Sequence, residues 1–237
     1  MRIFLAGATG VIGRPLVRLL AGAGHEVTGT TRSAAKADAL ALAGAKAAVV
    51  DVFDAGALKA AVVAARPEVV IHQLTDLPDS SNADAIAASL AANARIRIEG
   101  TENLIAAAKA AGARRMIAQS ISFIYAPGRE PHVEDDQLVP PDTISARGVH
   151  ALESAVTGTP GLEGIVLRYG RLYGPGTWAE KPTGRGFLHV DAAAQAALLA
   201  LTRGGAGIYN IAEDDGEVSI AKARRELGFD PAFRAGS

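Results

Sequence analysis

Cysteine is absent from all 237 residues, which removes disulfides, thiolate metal sites and cysteine nucleophiles together and leaves the redox compartment open. Neither sign of charge dominates. With 24 basic and 25 acidic residues the formal net charge is −1, so nothing electrostatic calls for a nucleic acid or an anionic membrane, and a small-molecule substrate is expected instead. No apolar run reaches membrane-spanning length, and the chain enters its first strand without a basic leader, apolar signal segment or cleavage site; this reads as a cytoplasmic protein. Repeats, low-complexity tracts and long linkers are lacking as well. The five histidines, His25, His72, His132, His150 and His189, include no pair at helical ligand spacing, so no metal site is expected. Gly-x-Ser-x-Gly, the nucleophile elbow of serine hydrolases, does not occur, and Ser120 follows a glutamine instead.

What is present starts at once. Residues 1–13 run Met-Arg-Ile-Phe-Leu-Ala-Gly-Ala-Thr-Gly-Val-Ile-Gly, an apolar strand that breaks into three glycines three apart and then into an apolar helical pattern. Gly7, Gly10 and Gly13 suit a tight turn, a close backbone approach to a pyrophosphate, and room for the helix on the strand. The free N–H groups of the first helical turn then meet the anion. The spacing alone is weak in a chain with 26 glycines, but the strand before it and the helix after it supply the context that a dinucleotide-binding turn requires.

Further strand-length apolar runs follow at Glu26–Thr31, Lys46–Val50, Glu68–Leu74, Arg115–Gln119, Gly164–Tyr169 and Gly207–Ile211, with helical patterns between them. Continuous Val/Ile/Leu runs are buried on both faces, so the expectation is an α/β fold with a doubly wound, mostly parallel sheet and right-handed helical crossovers. The longest helix is expected over about Asn82–Ala111, and another from Thr143 to Thr157-Gly158. Thr177–Gly186 reads as a polar connection, Asp191 as the N-cap of an alanine-rich helix, and Ser219–Leu227 as a last helix stopped by Gly228. Glu134-Asp135-Asp136 reads as a solvated loop. At 49% hydrophobic and 21% charged, the chain supports one large core, a single domain over 1–237.

The second strand ends in Thr30-Thr31-Arg32-Ser33. An acidic residue there would take a ribose 2′-hydroxyl and repel a 2′-phosphate; a guanidinium among hydroxyls suits the phosphate through charge-assisted hydrogen bonds, with Arg32 and Ser33 as its ligands. NADP is therefore expected over NAD.

Several pieces together resemble the extended or atypical short-chain dehydrogenase/reductases, the NAD-dependent epimerase/dehydratase family, along almost the whole chain: Gly7 to Gly13, Asp51-Val52, Asn93 with Gly100-Thr101-Glu102-Asn103-Leu104, Arg168 to Gly176, His189-Val190-Asp191, and Lys222 to Gly228. The resemblance implies a Rossmann-type sheet with a small substrate lobe, mainly 171–190 and 212–237. It implies that Thr9, Gly10, Val11, Ile12 and Gly13 hold the pyrophosphate, that Asp51 and Val52 flank the adenine, and that Gln73, Leu74 and Thr75 run beside the nicotinamide-side phosphate and ribose. Asn93 resembles the family's helix asparagine near the cofactor. The resemblance also implies a homodimer through the two long helices.

The family's tyrosine with a lysine four residues on is missing. Alignment on Glu153 puts Ser145 and Val149 at those positions. A lysine charge lowers the phenol's pKa for proton transfer and holds the nicotinamide ribose; serine and valine do neither. Replacement donors are sought among Ser120, Ser122, Tyr125, His150, Tyr169 and Tyr173; Ser120, which follows the fifth strand where the resemblance implies a substrate-binding serine or threonine and a cofactor contact, comes first. Packing is the alternative role for Tyr169 and Tyr173, and an exposed helix position for His150. Three functions stay open: an NADP-dependent oxidoreductase acting on a small carbonyl-like or activated C=C or C=N substrate, a non-catalytic NADP redox sensor, and an inert interaction fold. A sugar-nucleotide epimerase or dehydratase fits less well, because few residues separate Gly176 from Phe187.

Overall fold

Strand β1 (Arg2–Ala6) lies at the middle of a seven-stranded sheet with β2 (Glu26–Thr31) and β3 (Ala45–Val49) on one side and β4 (Val69–His72), β5 (Arg115–Ile121), β6 (Glu163–Tyr169) and β9 (Gly207–Ile211) on the other, in the order β3-β2-β1-β4-β5-β6-β9. The computed structural model describes residues 1–78 and 82–236. Every neighbouring pair is parallel, as strands buried on both faces require. The chain winds outward from β1 to β3 and then returns to β4, so the order reverses between β1 and β4, and ligands of such sheets lie outside the carboxyl ends at that point.

Alternation along each strand sends residues into two apolar layers. Ile3, Leu5, Ile71, Ile117 and Leu167 pack with α1 (Gly13–Gly22) and α7 (Val190–Leu199); Phe4, Val70, Met116, Ala118 and Val166 pack with α3 (Ala55–Ala65), α5 (Thr101–Ala110) and α6 (Ile144–Gly158). Alanines at 192–194, 196 and 197 are fully buried, so α7 lies close on the sheet. A short α2 (Ala37–Leu42) precedes β3. Strands β7 (Arg171–Tyr173) and β8 (Phe187–His189) form a separate parallel pair, and α8 (Ala221–Leu227) ends at Gly228 with φ +70°. Among the described residues no helix is long and apolar enough to cross a membrane.

The structure corrects three expectations. The helix over 82–111 is α4 (Ala83–Arg95), a five-residue π-turn at Ile96–Gly100, then α5. The wide turn re-phases the buried face, and Gly100 within it lets the helix approach Val52, whose methyls would stand 3.4 Å from a Cβ there. The cap of α7 is His189, whose Nδ1 accepts from the Asp191 amide at 3.1 Å; Asp191 sits in the first turn and its carboxylate accepts from Ala235 N instead. Finally, Glu134 and Asp136 are tied into the fold. Glu134 accepts from the Asn210 amide at 2.9 Å and Asp136 from the Val133 amide at 3.0 Å, so only Asp135 is left as a plain exposed acid.

Candidate functional site

The turn between β1 and α1 is closed by Gly10 N donating to Gly7 O at 3.1 Å and Arg14 N to Gly10 O at 3.0 Å, while Gly7 N donates to Thr30 Oγ1 of β2. The amides of Thr9, Val11 and Ile12 have no acceptor among the described residues. Ile12 caps α1 without a side-chain hydrogen bond, so the positive end of the helix is left for an anion. Crowding explains the glycines. A Cβ at Gly7, where φ is +90°, would lie 2.6 Å from Gln73 O, and one at Gly13 would lie 2.1 Å from Gly7 O. A backbone cradle this tight with unspent donors fits a pyrophosphate. Arg14, exposed beside it, has Nη2 2.8 Å from where a Gly176 Cβ would stand and brings the loop after β7 over the turn.

At the tip of β2 only part of the expected hydroxyl set is available. Thr30 is spent on Gly7 N, and Thr31 Oγ1 exchanges bonds with Ser33 N and O. Arg32 and the Ser33 hydroxyl remain. Arg32 is exposed and pairs loosely, at 3.5 Å, with Asp76 from the segment after β4. After β3, Asp51 Oδ1 accepts from Phe53 N at 2.9 Å, and the cap of α3 is Asp54. Val52 lies against Gly100, its carbonyl held by Asn103 Nδ2 at 3.0 Å. Asn103 was visible in sequence only as part of a motif, without this partner.

After β4, Gln73 Nε2 donates to Tyr169 OH at 3.1 Å, and Gln73 Oε1 is buried with no partner. Leu74 donates its amide to His72 Nδ1, and Thr75 follows, half-buried. Asn93 clasps Asp76, accepting from its amide at 3.0 Å and donating to its carbonyl at 2.8 Å. Its amide thus holds the segment after β4 to α4.

Most of the proton-donor candidates are hydrogen-bonded within the protein. Ser120, Arg168 and Asn210 stand in register across β5, β6 and β9. Ser120 Oγ donates to Glu153 Oε1 at 2.6 Å, so this buried hydroxyl points into the α6 layer. Arg168 grips both Glu153 oxygens, at 3.0 and 2.7 Å, and donates to Tyr125 OH at 2.8 Å; Tyr125 in turn donates to Asn210 Oδ1 at 2.7 Å. Desolvation raises the Tyr125 pKa in spite of Arg168. Tyr169 belongs to the core, and burial holds its phenol far above the usual range. Tyr173 donates to Glu213 and accepts from Arg234, and burial with the Glu213 carboxylate pushes it up to about 12. His150 Nε2 donates to Val139 O at 2.9 Å, so it is a tether between α6 and the preceding loop. Ser122 Oγ is buried without a partner. Ser145 is half-buried at the start of α6, and Val149 is enclosed with Ile124 and Ala146. None of the tyrosines carries a lowered pKa, the condition for proton transfer near neutrality. Among the described residues no group of three or more His, Asp or Glu is placed to hold a metal ion.

Sequence reasoning missed Arg97, in the π-turn, and gave His72 no role. Because His72 Nδ1 accepts from Leu74 N, the neutral ring carries its proton on Nε2, which finds no acceptor. Burial, reinforced by the Arg97 charge, pulls His72 from 6.5 to about 4. Between those values the unfolded chain binds a proton that the native chain refuses, so stability falls as pH drops through that window and is level above it. Unfolding in urea at pH 7 and pH 4.5 is expected to show His72 taking part in a loss of roughly 3 kcal/mol across the full window. His72→Asn should flatten that limb; an unchanged slope would contradict the neutral buried ring.

Residues 3–186 match the model of the NAD dependent epimerase/dehydratase family. A 3-diazoavenalumate denitrifying reductase from a Streptomyces species is 40% identical over 240 residues, covering 91% of this chain and 77% of that protein. UDP-glucose 4-epimerase from Thermotoga maritima, solved with UDP-glucose, superposes with a TM-score of 0.82 at 19% identity, over 99% of this chain and 94% of the other. The dTDP-glucose 4,6-dehydratase DesIV from Streptomyces venezuelae, solved with NAD, gives 0.79 at 22% over 99% and 93%. Likeness at these identities speaks for the fold.

Proposed function

The chain belongs to the NAD dependent epimerase/dehydratase family and is an NAD(P)-dependent oxidoreductase, and from that premise we propose that it is an NADPH-dependent reductase of a small, strongly electrophilic substrate that needs no protein acid, such as an aryl diazonium or related diazo compound. One observation carries this reading: Ser120 and Tyr125 donate their hydroxyl protons within the protein, Tyr169 and Ser122 are buried, and positions 145 and 149 hold serine and valine. A ketone needs a proton on oxygen as hydride arrives. When bound, the reduced dinucleotide supplies hydride, and hydride added to an aryl diazonium cation gives the arene and dinitrogen with atoms and charge balanced and no proton consumed. The name of the Streptomyces relative, a denitrifying reductase of a diazo compound, supports the same chemistry.

The chain's own residues then bind and orient. The turn from Thr9 to Gly13 receives the pyrophosphate, Asp51 and Val52 border the adenine, and the Gln73–Thr75 segment, followed by the Asp76 backbone that Asn93 clasps, borders the nicotinamide half. Arg32, exposed and loosely paired, receives the 2′-phosphate with Ser33. A second copy of the chain docks through α4 and α6, next to the exposed Ile98 and Ile144.

The test is cofactor oxidation, set against protein-free controls, with aryl diazonium acids and with ketones, aldehydes and enones. Oxidation of NADPH matched by dinitrogen release is expected, with little turnover of ketones. In parallel, Arg32→Ala is expected to weaken NADPH binding about tenfold or more and to leave NADH unchanged. Equal binding of both cofactors by the wild type would remove the NADP assignment. A redox-sensing role is the second reading, favoured by the same engaged hydroxyls; tight NADPH binding with no turnover of any substrate would select it.

A further inference from the structure

The positive charge missing at position 149 arrives from another element. Arg97 stands in the π-turn at Ile96–Gly100, the kind of helix irregularity that gathers at functional sites. Its stem runs along α6 at Gly148, where a Cβ would lie 3.4 Å from Arg97 Cδ. Gly148 immediately precedes Val149, so a guanidinium enters beside the position where the relatives carry lysine. Desolvation lowers the Arg97 pKa while the Glu153 charge raises it, and the Arg97 charge in turn lowers His72; the cation therefore reaches inward, between the carboxyl end of β4 and α6.

Arg97 makes no hydrogen bond and no ion pair among the described residues. Glu153 acts on its charge but makes no hydrogen bond to it; its three bonds go to Ser120 and Arg168. The other inward arginines are satisfied: Arg168 by Glu153, and Arg115 by Glu163 and the carbonyl of Ala200. Arg97 is half-buried; a guanidinium keeps its charge in proteins, and the part of it withdrawn from water without an acceptor is costly. His72, whose pKa the Arg97 charge lowers, has its buried Nε2 without an acceptor as well. A guanidinium and a neighbouring imidazole N–H, both without acceptors, are donors that an oxygen-rich ligand would complete.

We propose that Arg97 anchors the nicotinamide ribose of the dinucleotide from the π-turn, replacing the α6 lysine as the cation of the site. The inference rests on the dinucleotide reading above and adds a residue to it. The anchoring is separable from proton transfer: a guanidinium donates to ribose hydroxyls but cannot act as an acid. It holds the cofactor of a reductase that needs no acid.

The test uses Trp178, the single tryptophan, as a reporter. Its Nε1 donates to Pro78 O at 3.0 Å, so it bridges the loop after β7 to the segment after β4 beside the cleft. Tryptophan fluorescence is titrated with NADPH and with 2′,5′-ADP, which keeps the adenosine and 2′-phosphate and lacks the nicotinamide ribose. Arg97→Met is expected to weaken NADPH about tenfold or more and to leave 2′,5′-ADP within about twofold. Arg97→Lys should recover most of the loss. Relieved of an unpaired cation, Arg97→Met should melt no lower than the wild type, a result that a purely structural arginine would not give. Equal weakening of both ligands, unchanged NADPH binding, or a lowered melting temperature without ligand overturns the proposal. Wild-type protein that binds neither ligand overturns the dinucleotide reading itself, and this inference with it.

Discussion

Arg168→Met is expected to cost about 3–5 kcal/mol of unfolding free energy, the range for breaking a buried ion pair from one side. The two side chains are 3% and 6% exposed, and the guanidinium makes two bonds to Glu153. Loss of the arginine leaves a carboxylate in an apolar layer with one serine hydroxyl for company. It also takes a donor from Tyr125 OH and from the Glu134 carbonyl, at 2.8 and 3.0 Å, and so loosens the 125–136 segment from β6. Glu153→Leu alone should be comparably damaging, because it strands Arg168. The double variant Arg168→Met/Glu153→Leu should recover most of the loss, since replacing both members of a buried pair by apolar groups of similar volume is often neutral. Urea unfolding of all four proteins closes the cycle. Single variants within about 1 kcal/mol of the wild type would mean that the pair is hydrated and that its geometry says little about stability.

Gly13→Ala should be the most damaging single change for cofactor binding. A Cβ there would stand 2.1 Å from Gly7 O and 2.7 Å from the Ala8 carbonyl carbon, backbone atoms that cannot swing aside. Either the turn opens or α1 lifts, and both move the Thr9, Val11 and Ile12 amides away from the pyrophosphate. Strain of this sort costs roughly 1–3 kcal/mol. With misaligned donors added, a loss of about a hundredfold in NADPH affinity is expected. Gly10→Ala is the internal control. Its Cβ would be 3.3 Å from Gly7 O, a contact that a few tenths of an ångström relieves, so its loss should stay near tenfold or below. NADPH titration together with thermal melting separates the binding effect from the folding effect. Equal losses for the two alanines would show that the turn is not packed as tightly as these distances state.

The readable part of the site is local. The strand, the three glycines and the helix occupy consecutive residues, so the unspent amides follow from chain geometry alone. Arg32 at the tip of β2 is readable for the same reason. The unreadable part depends on partners far along the chain. Ser120 looked available in sequence, yet its hydroxyl is taken by a carboxylate 33 residues away, and the Tyr169 phenol by a glutamine 96 residues away. The hydroxyls beside Arg32 were legible, but not that Thr30 Oγ1 accepts from Gly7 N and that Thr31 Oγ1 bonds Ser33. Asn93 looked like a cofactor contact, and its amide clasps the backbone of Asp76. The π-turn was hidden because its five residues contain no proline and read on as helix.

The sequence by itself determined the alternation of strand and helix, the glycine-rich turn between β1 and α1, the cation at the end of β2, and serine and valine at positions 145 and 149 of α6. Periodicity and local backbone sterics suffice for these. Only the tertiary structure decided which polar groups are still unspent once every strand end has met its neighbours. A buried donor's meaning lies in whether an acceptor faces it, and at Arg97 that depends on Gly148 and Glu153 of a helix some fifty residues away, brought alongside by the packing of α6 on the sheet.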